Sequence, residues 1–240
     1  MRADVILYEK GYAKSRSAAQ TLIKNGAVYV NGAPLKKPSE QINETDEIEI
    51  RGDMPKYVSR GGYKLEAALD AFHIDVKDFV CADIGASTGG FTDCLLQHGA
   101  AKVYAIEGGR DQLDKSLLCD PRVVSIEGLN ARELEFSHIN EFCDIVTIDV
   151  SFISQTLIIP NIAKILKKGG TFVSLIKPQF EAGREGIGKN GIAKPEYREI
   201  ACRRVISFCE NAGFENKGLT VSPIKGGDGN TEFLSYFIKS

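Results

Sequence analysis

Eight consecutive residues, Asp83-Ile84-Gly85-Ala86-Ser87-Thr88-Gly89-Gly90, carry the first chemical signal in the chain. They follow the apolar run Phe79-Val80-Cys81-Ala82 and precede Phe91-Thr92-Asp93-Cys94-Leu95-Leu96, which reads as strand, tight loop, helix. Glycines at 85, 89 and 90 are expected to turn the backbone sharply and to leave room for a nucleotide-like ligand at the helix start. Gly-x-Gly-x-x-Gly is not the spacing here and no Gly-Lys-Ser/Thr follows, so dinucleotide and phosphate-cradling loops fit poorly. Four more polar residues, Lys64, Asp149, Lys177 and Glu232, fall at the edges of predicted elements, on the side where a parallel sheet collects ligands. Singly each is an ordinary surface charge; together they offer two amines and two carboxylates to a polar substrate.

The elements that must position these groups follow from hydrophobic patterning. After Gly61-Gly62, apolar residues at 65, 68, 69 and 72 share one helical face. Lys64 sits in the first turn, where a cation gains nothing from the helix dipole, so something else must favour it there. Beyond the glycine loop, strand and helix alternate. Val103–Ile106 ends at Glu107, Val123–Ile126 leads into Glu127-Gly128-Leu129-Asn130, and Asp144–Ile148 ends at Asp149. Gly169-Gly170 turns into Thr171–Ile176, which delivers Lys177-Pro178; the proline stops the strand and holds Lys177 at the rim. Such alternation builds a parallel sheet with covering helices. A Gly-rich stretch over 183–191 is expected to be a mobile lid, 196–211 a long helix, and strands near 216–222 and 232–238 complete the sheet.

The first 50 residues have a different character. Residues 1–37 hold seven Lys and Arg against Asp4 and Glu9, whereas residues 38–53 reverse the balance with six acids against Arg51. Val5, Ile6 and Leu7 open a short helix, Ser15 stands where an N-cap belongs, and Ala18, Ala19, Leu22 and Ile23 follow at helical spacing up to Asn25-Gly26. Ala27–Val30 reads as a strand running into Asn31-Gly32, the dipeptide that most favours a type I′ hairpin, and Ile48-Glu49-Ile50 alternates as another strand. This pattern resembles the small RNA-binding domain of ribosomal protein S-four. The resemblance implies that the second helix and the turn after it meet RNA, with Arg16, Lys24, Asn25 and Lys36 near phosphate and Arg60 contributing from the next segment. Phosphate contacts carry affinity without sequence information, so this domain is expected to position its partner rather than choose the base. Residues 51–61 mix Gly, Pro and charge without periodicity, which sets domains of 1–52 and 62–240 around a linker at 53–61.

The acid two positions before Gly85 and the closing glycine pair resemble motif I of S-adenosylmethionine (SAM)-dependent methyltransferases. Lys64, Asp149, Lys177 and Glu232 resemble the Lys-Asp-Lys-Glu tetrad of FtsJ-like RNA ribose 2′-O-methyltransferases. Whole phrases extend the likeness: Tyr57-Val58-Ser59-Arg60-Gly61-Gly62, Asp149-Val150-Ser151-Phe152-Ile153-Ser154, Ile176-Lys177-Pro178-Gln179-Phe180-Glu181 and Gly229-Asn230-Thr231-Glu232-Phe233-Leu234. With the N-terminal domain, they are similar to the hemolysin-A-like (TlyA) rRNA methyltransferase family over essentially the full length. The resemblance implies an α/β fold, a Rossmann-like methyltransferase sheet that is mostly parallel with its last strand antiparallel, beside a small N-terminal α/β RNA-binding domain. It implies SAM at Asp83, Gly85, Ala86, Ser87, Thr88, Gly89, Gly90 and Asp149, Glu107 on the ribose, and Gly128, Leu129 and Asn130 by the adenine. Where relatives show Asp-Val-Gly, this chain has Glu107-Gly108-Gly109, one methylene longer. The implied reaction methylates a ribose 2′-hydroxyl, of cytidine, in ribosomal RNA or a ribosomal subunit. A 2′-hydroxyl is a poor nucleophile, so Lys177 either takes its proton or orients it as a cation, with Lys64 and Asp149 setting its state.

Composition narrows the alternatives. No apolar run reaches the roughly 18 residues a membrane span needs, and no signal-peptide core is visible, which points to a soluble cytoplasmic protein. Six scattered cysteines without a Cys-x-x-Cys pair suggest reduced thiols and no metal. A cytolysin needs amphipathic or spanning segments that the sequence lacks. An RNA-binding assembly factor without catalysis fits the N-terminal domain, but an intact tetrad argues against it. An NAD-linked oxidoreductase lacks its glycine spacing.

Overall fold

The structure is a computed structural model that describes residues 1–24, 26–51, 55–226 and 228–240. Asn25 and the boundary expected at residues 52–53 lie outside the described residues.

Two short helices, α1 (Ala3–Glu9) and α2 (Arg16–Lys24), pack on a small sheet of β1 (Val28–Val30), β2 (Ala33–Pro34) and β3 (Ile48–Ile50) in the order β2-β1-β3. Ser15 caps α2 as expected, its Oγ accepting from the Ala18 N–H at 3.0 Å. Asn31 and Gly32 both have positive φ (50° and 78°), the type I′ geometry that suits the twist of β1 and β2. Ile6, Leu7, Leu22, Ile23 and Val28 are almost fully buried between the layers.

The rest of the chain is one seven-stranded sheet with helices on both faces. Its elements are α3 (Gly61–Phe72), β4 (Val80–Ile84), α4 (Gly90–Gln97), β5 (Lys102–Glu107), α5 (Lys115–Leu118), β6 (Val123–Glu127), β7 (Cys143–Ile148), α6 (Ile159–Ile165), β8 (Leu166–Ile176), α7 (Pro178–Glu181), α8 (Pro195–Asn211), β9 (Phe214–Val221) and β10 (Phe233–Lys239). The strand order is β6-β5-β4-β7-β8-β10-β9; β4 to β8 run parallel, and β10 lies antiparallel to both of its neighbours. Ile145, Val146 and Ile148 of β7 are buried on both faces, which is why the central strands read as continuous apolar runs. The chain order reverses between β4 and β7, so a crevice opens beyond their carboxyl ends.

Several boundaries differ from expectation. Tyr57 and Val58, in the stretch read as linker, are fully buried in the core beneath α3. Helix α3 begins at Gly61, and Gly62 packs against the Tyr57 ring, leaving no space for a Cβ atom. Strand β8 starts at Leu166 and runs through Gly169-Gly170 rather than after them. The stretch 183–191 is not a free lid. The fully buried Asn230 accepts from the Ala193 N–H at 2.9 Å and donates to the Gly191 carbonyl at 3.2 Å, and an Ile187–Ala193 bridge closes the turn. Among the described residues, no helix is long and apolar enough to cross a membrane.

Candidate active site

The glycine loop is built for close protein packing. Gly85, at φ +82°, lies against the Asp149 carbonyl; Gly89, at φ +93°, against Leu113 and Leu117; Gly90 against Ser59 and the first turn of α3. At all three a Cβ atom would meet protein, while Gly85 and Gly90 also line the cavities beside the loop. Asp83 lies behind the loop. It is fully buried, and Thr92 Oγ1 donates to it at 2.8 Å and Thr147 Oγ1 at 3.1 Å. Burial, reinforced by the nearby Asp149 charge, pushes its carboxyl up to about 7. Asp83 is a strut joining the starts of α4 and the crevice to β7.

A cavity of about 600 Å³ opens beside the loop, in the size range of small-molecule sites. Gly85, Ser87, Glu107, Gly128, Leu129, Asn130 and Asp149 line it, with Ile106, Val150, Ile153 and Ile158 as apolar walls. The Glu107 carboxylate accepts from the Ser87 N–H at 2.9 Å and the Gly109 N–H at 2.8 Å, which fixes its orientation and leaves lone pairs for further donors. Ala86, Thr88 and Gly90 line a second cavity of about 260 Å³ instead, together with Lys64, Lys177, Ser59, Arg60 and Ser17. Gly85, Ser87, Asp149 and Ser151 belong to both cavities, so the two adjoin at the end of β7.

The four charged residues meet there as two pairs. Lys177 Nζ stands 2.5 Å from Asp149 Oδ1 as an ion pair and donates to Ser151 Oγ at 2.9 Å. Lys64 Nζ donates to Glu232 Oε2 at 2.5 Å, and with Glu232 2% exposed this pair is buried. The partner that favours Lys64 in the first turn of α3 is therefore Glu232. Glu232 itself stands behind Lys64 rather than lining the cavity. Sequence reasoning missed Ser151 and Ser59, although both stood in the quoted phrases. It missed Ser17 too, for which no local signal existed, since α2 belongs to the N-terminal layer. Beyond Ser151 the loop is strained: Phe152 has φ +64°, a conformation costing about 1–3 kcal/mol for a bulky residue. Its exposed ring packs on Phe180 at 5.1 Å.

Of the residues expected to meet RNA, Lys24, Lys36 and Arg60 are exposed, and Arg60 lines the second cavity. The Arg16 guanidinium is half exposed and reaches the fully buried Asp4 at 3.3 Å. Burial works to raise the Asp4 carboxyl, but hydrogen bonds from Arg2, Gln20 and Arg16 outweigh it and hold it at about 2. Arg16 thus has an internal partner that the sequence did not announce. The two layers touch through Val58: Ser15 Oγ donates to its carbonyl at 2.5 Å, and its N–H donates to Asp93 Oδ2, in the first turn of α4, at 2.8 Å. Among the described residues, no group of three or more His, Cys, Asp or Glu could hold a metal ion.

A seven-stranded sheet of this order, with a crevice at the β4–β7 reversal and an acid at the end of β5, defines a methyltransferase of the Rossmann-like class. An FtsJ-like methyltransferase model matches residues 57–239 and an S4 domain model matches residues 1–48. Hemolysin A of Brachyspira hyodysenteriae is 48% identical over 240 residues, covering 99% of this chain and 100% of that protein. The 16S/23S rRNA (cytidine-2′-O)-methyltransferase TlyA of Mycobacterium tuberculosis is 39% identical over 235 residues, covering 97% and 88%. A solved structure from Streptococcus thermophilus, described under a hemolysin name, superposes with a TM-score of 0.81 at 46% identity, over 100% of this chain and 88% of that one. The chain belongs to the FtsJ-like methyltransferase family, among its hemolysin A and TlyA members that carry an S4 domain.

Proposed function

We propose that this protein transfers the methyl group of SAM to a ribose 2′-hydroxyl in ribosomal RNA, with cytidine, the nucleoside named for its TlyA relatives, as the target. The observation that carries this reading is the shared wall of the two cavities, where Asp149 and Ser151 meet Lys177. The larger cavity fits the cofactor. Glu107 has the acceptor capacity for vicinal ribose hydroxyls, the segment Gly128–Asn130 with Ile106 and Ile158 suits a planar base, and Gly85, Ser87 and Asp149 close the end toward the second cavity. When bound, SAM supplies an electrophilic methyl that needs only in-line approach of an oxygen nucleophile. The smaller cavity takes the ribose. Lys177 holds the hydroxyl, either as the base that takes its proton or as a cation that orients it, while Asp149 and Ser151 hold the Lys177 head group in place. Glu232 anchors Lys64 at the wall of the same cavity.

Residues 1–52 serve as the RNA-binding unit and the chain from Tyr57 onward as the methyltransferase unit. Lys24, Lys36, Arg60 and the exposed part of Arg16 meet phosphate, and Arg60 does so at the rim of the ribose cavity. The decisive experiment is mass spectrometry of rRNA from cells with and without this protein, which reads both the activity and the nucleotide; identical rRNA in the two would end the proposal.

Two measurements test its parts. Hydrogen bonds to charged groups contribute roughly 1.5–3 kcal/mol, so Glu107→Ala should weaken SAM binding by about tenfold or more in a calorimeter. Unchanged affinity would remove Glu107 from the cofactor site. Binding of the wild-type protein to structured rRNA should fall steeply and linearly in log–log form as salt rises, and Lys24→Ala with Lys36→Ala should flatten that slope by about two ions at most. An unaltered slope would place the RNA on another surface.

A further inference from the structure

One buried acid has no part in the reaction as described. Glu181 is 2% exposed and ends the short helix α7, whose N-cap is Lys177. Its carboxylate does not reach toward Lys177. It crosses to the neighbouring loop, accepting from Ser154 Oγ at 2.6 Å and from the Gln155 N–H at 2.8 Å. The Gln155 side chain then ties the same loop to β8, donating to the Leu175 carbonyl at 2.6 Å and accepting from Ser174 Oγ at 2.5 Å. Behind α7, Arg204 of α8 donates to the Glu181 carbonyl at 3.1 Å. Burial pushes the Glu181 carboxyl upward, opposed by the bonds from Ser154 and Gln155.

The loop so held runs from Asp149 to Ser154. It carries both partners of the Lys177 ammonium, Asp149 and Ser151, and it contains the positive-φ residue Phe152. A strained conformation of this kind persists only where its surroundings over-determine it. β7 fixes one end of the loop, Glu181 fixes the other, and Phe180, the residue before Glu181, packs against the Phe152 ring between them. We infer that Glu181 is a positioning residue that locks the loop after β7 to the turn after β8, and so sets the separation of Lys177 from Asp149 and Ser151. The inference rests on the methyl-transfer reading for its effect on rate, but not for the clamp itself.

The test compares Glu181→Ala, Glu181→Gln and Ser154→Ala in the full chain. Glutamine keeps an acceptor for the Gln155 N–H and offers its amide to the Ser154 hydroxyl, so it preserves the clamp without an ionisable group. Glu181→Ala should lower kcat on rRNA by roughly ten- to a hundredfold, with the KM for SAM near its wild-type value, since misplacement of reacting groups acts on the chemical step. Hydrogen exchange over residues 150–155 should accelerate in Glu181→Ala and stay protected in Glu181→Gln, which should turn over within a few-fold of wild type. Should Glu181→Ala fail to fold, Ser154→Ala removes one of the two contacts and should show both effects at smaller size. Wild-type kcat in folded Glu181→Ala overturns the inference. So does a Glu181→Gln protein as inactive as the alanine variant with its loop still protected, because the carboxyl would then act through its proton or charge. If the wild-type protein does not methylate rRNA, the methyl-transfer reading fails, and unaltered exchange in Glu181→Ala would separately overturn the clamp.

Discussion

Lys177→Ala is expected to abolish methyl transfer while leaving SAM affinity close to that of the wild type. The loss should be roughly 10²–10⁴-fold in single-turnover rate, the usual contribution of a positioned acid or base. The split between rate and affinity follows from geometry: Lys177 lines the smaller cavity only, whereas Glu107 and the Gly128–Asn130 segment line the larger one. Lys177→Arg should fail as well. A guanidinium stays protonated, and its planar fork cannot reproduce a point contact with both Asp149 Oδ1 and Ser151 Oγ in a space shaped for an ammonium. Substantial turnover by the arginine variant would show that an orienting cation is enough and would remove proton acceptance from Lys177. Weakened SAM binding by the alanine variant would instead show that the two cavities are not divided between cofactor and ribose.

The second large effect is on stability. Lys64→Ala should destabilise the protein by about 3–5 kcal/mol, because it leaves Glu232, 2% exposed, as a buried charge without its partner. For a chain of this size that corresponds to a fall in Tm of about 10 °C. Lys64→Met combined with Glu232→Leu should recover most of the loss, since replacing both members of a buried pair by apolar groups of similar volume is often neutral, yet it should not restore methylation. Denaturant titration of the wild type and the two variants measures both changes. A double variant no more stable than Lys64→Ala would mean that the pair contributes through packing rather than through charge compensation.

What the sequence disclosed and what it concealed divide along physical lines. Local signals were reliable: Ser15 capping α2, Asn31-Gly32 turning the hairpin, and the run of β4, loop and α4 all depend on neighbours within a few residues. The ends of β7 and β8 were readable because a parallel sheet gathers such ends at one edge, which brought Asp149 and Lys177 together without further information. The failures all turned on partners distant in sequence. Asp83 accepts from Thr92 and Thr147, which no local pattern connects to it. The glycines at 89 and 90 answer to Leu117 and Ser59, neither of which any local pattern connects to the loop. Arg16 is drawn to Asp4, and Tyr57 is buried although its surroundings read as an exposed tether. Glu181 is the extreme case, an acid in a short helix whose two acceptor bonds go to another loop.

The place of β10 also bears on how the protein is made. In the sheet β10 lies between β8 and β9, yet it is synthesised after both, so β9 emerges from the ribosome with no strand to pair with. The partly built sheet must keep a gap open, with the edge of β8 unpaired, until residues 233–239 arrive. Glu232 emerges immediately before them, so until then Lys64 has no counter-ion at its final site. The nascent chain therefore completes its hydrogen-bonded sheet and its charged centre in the same late step, and chains released before that step would expose an adhesive β8 edge while lacking the tetrad.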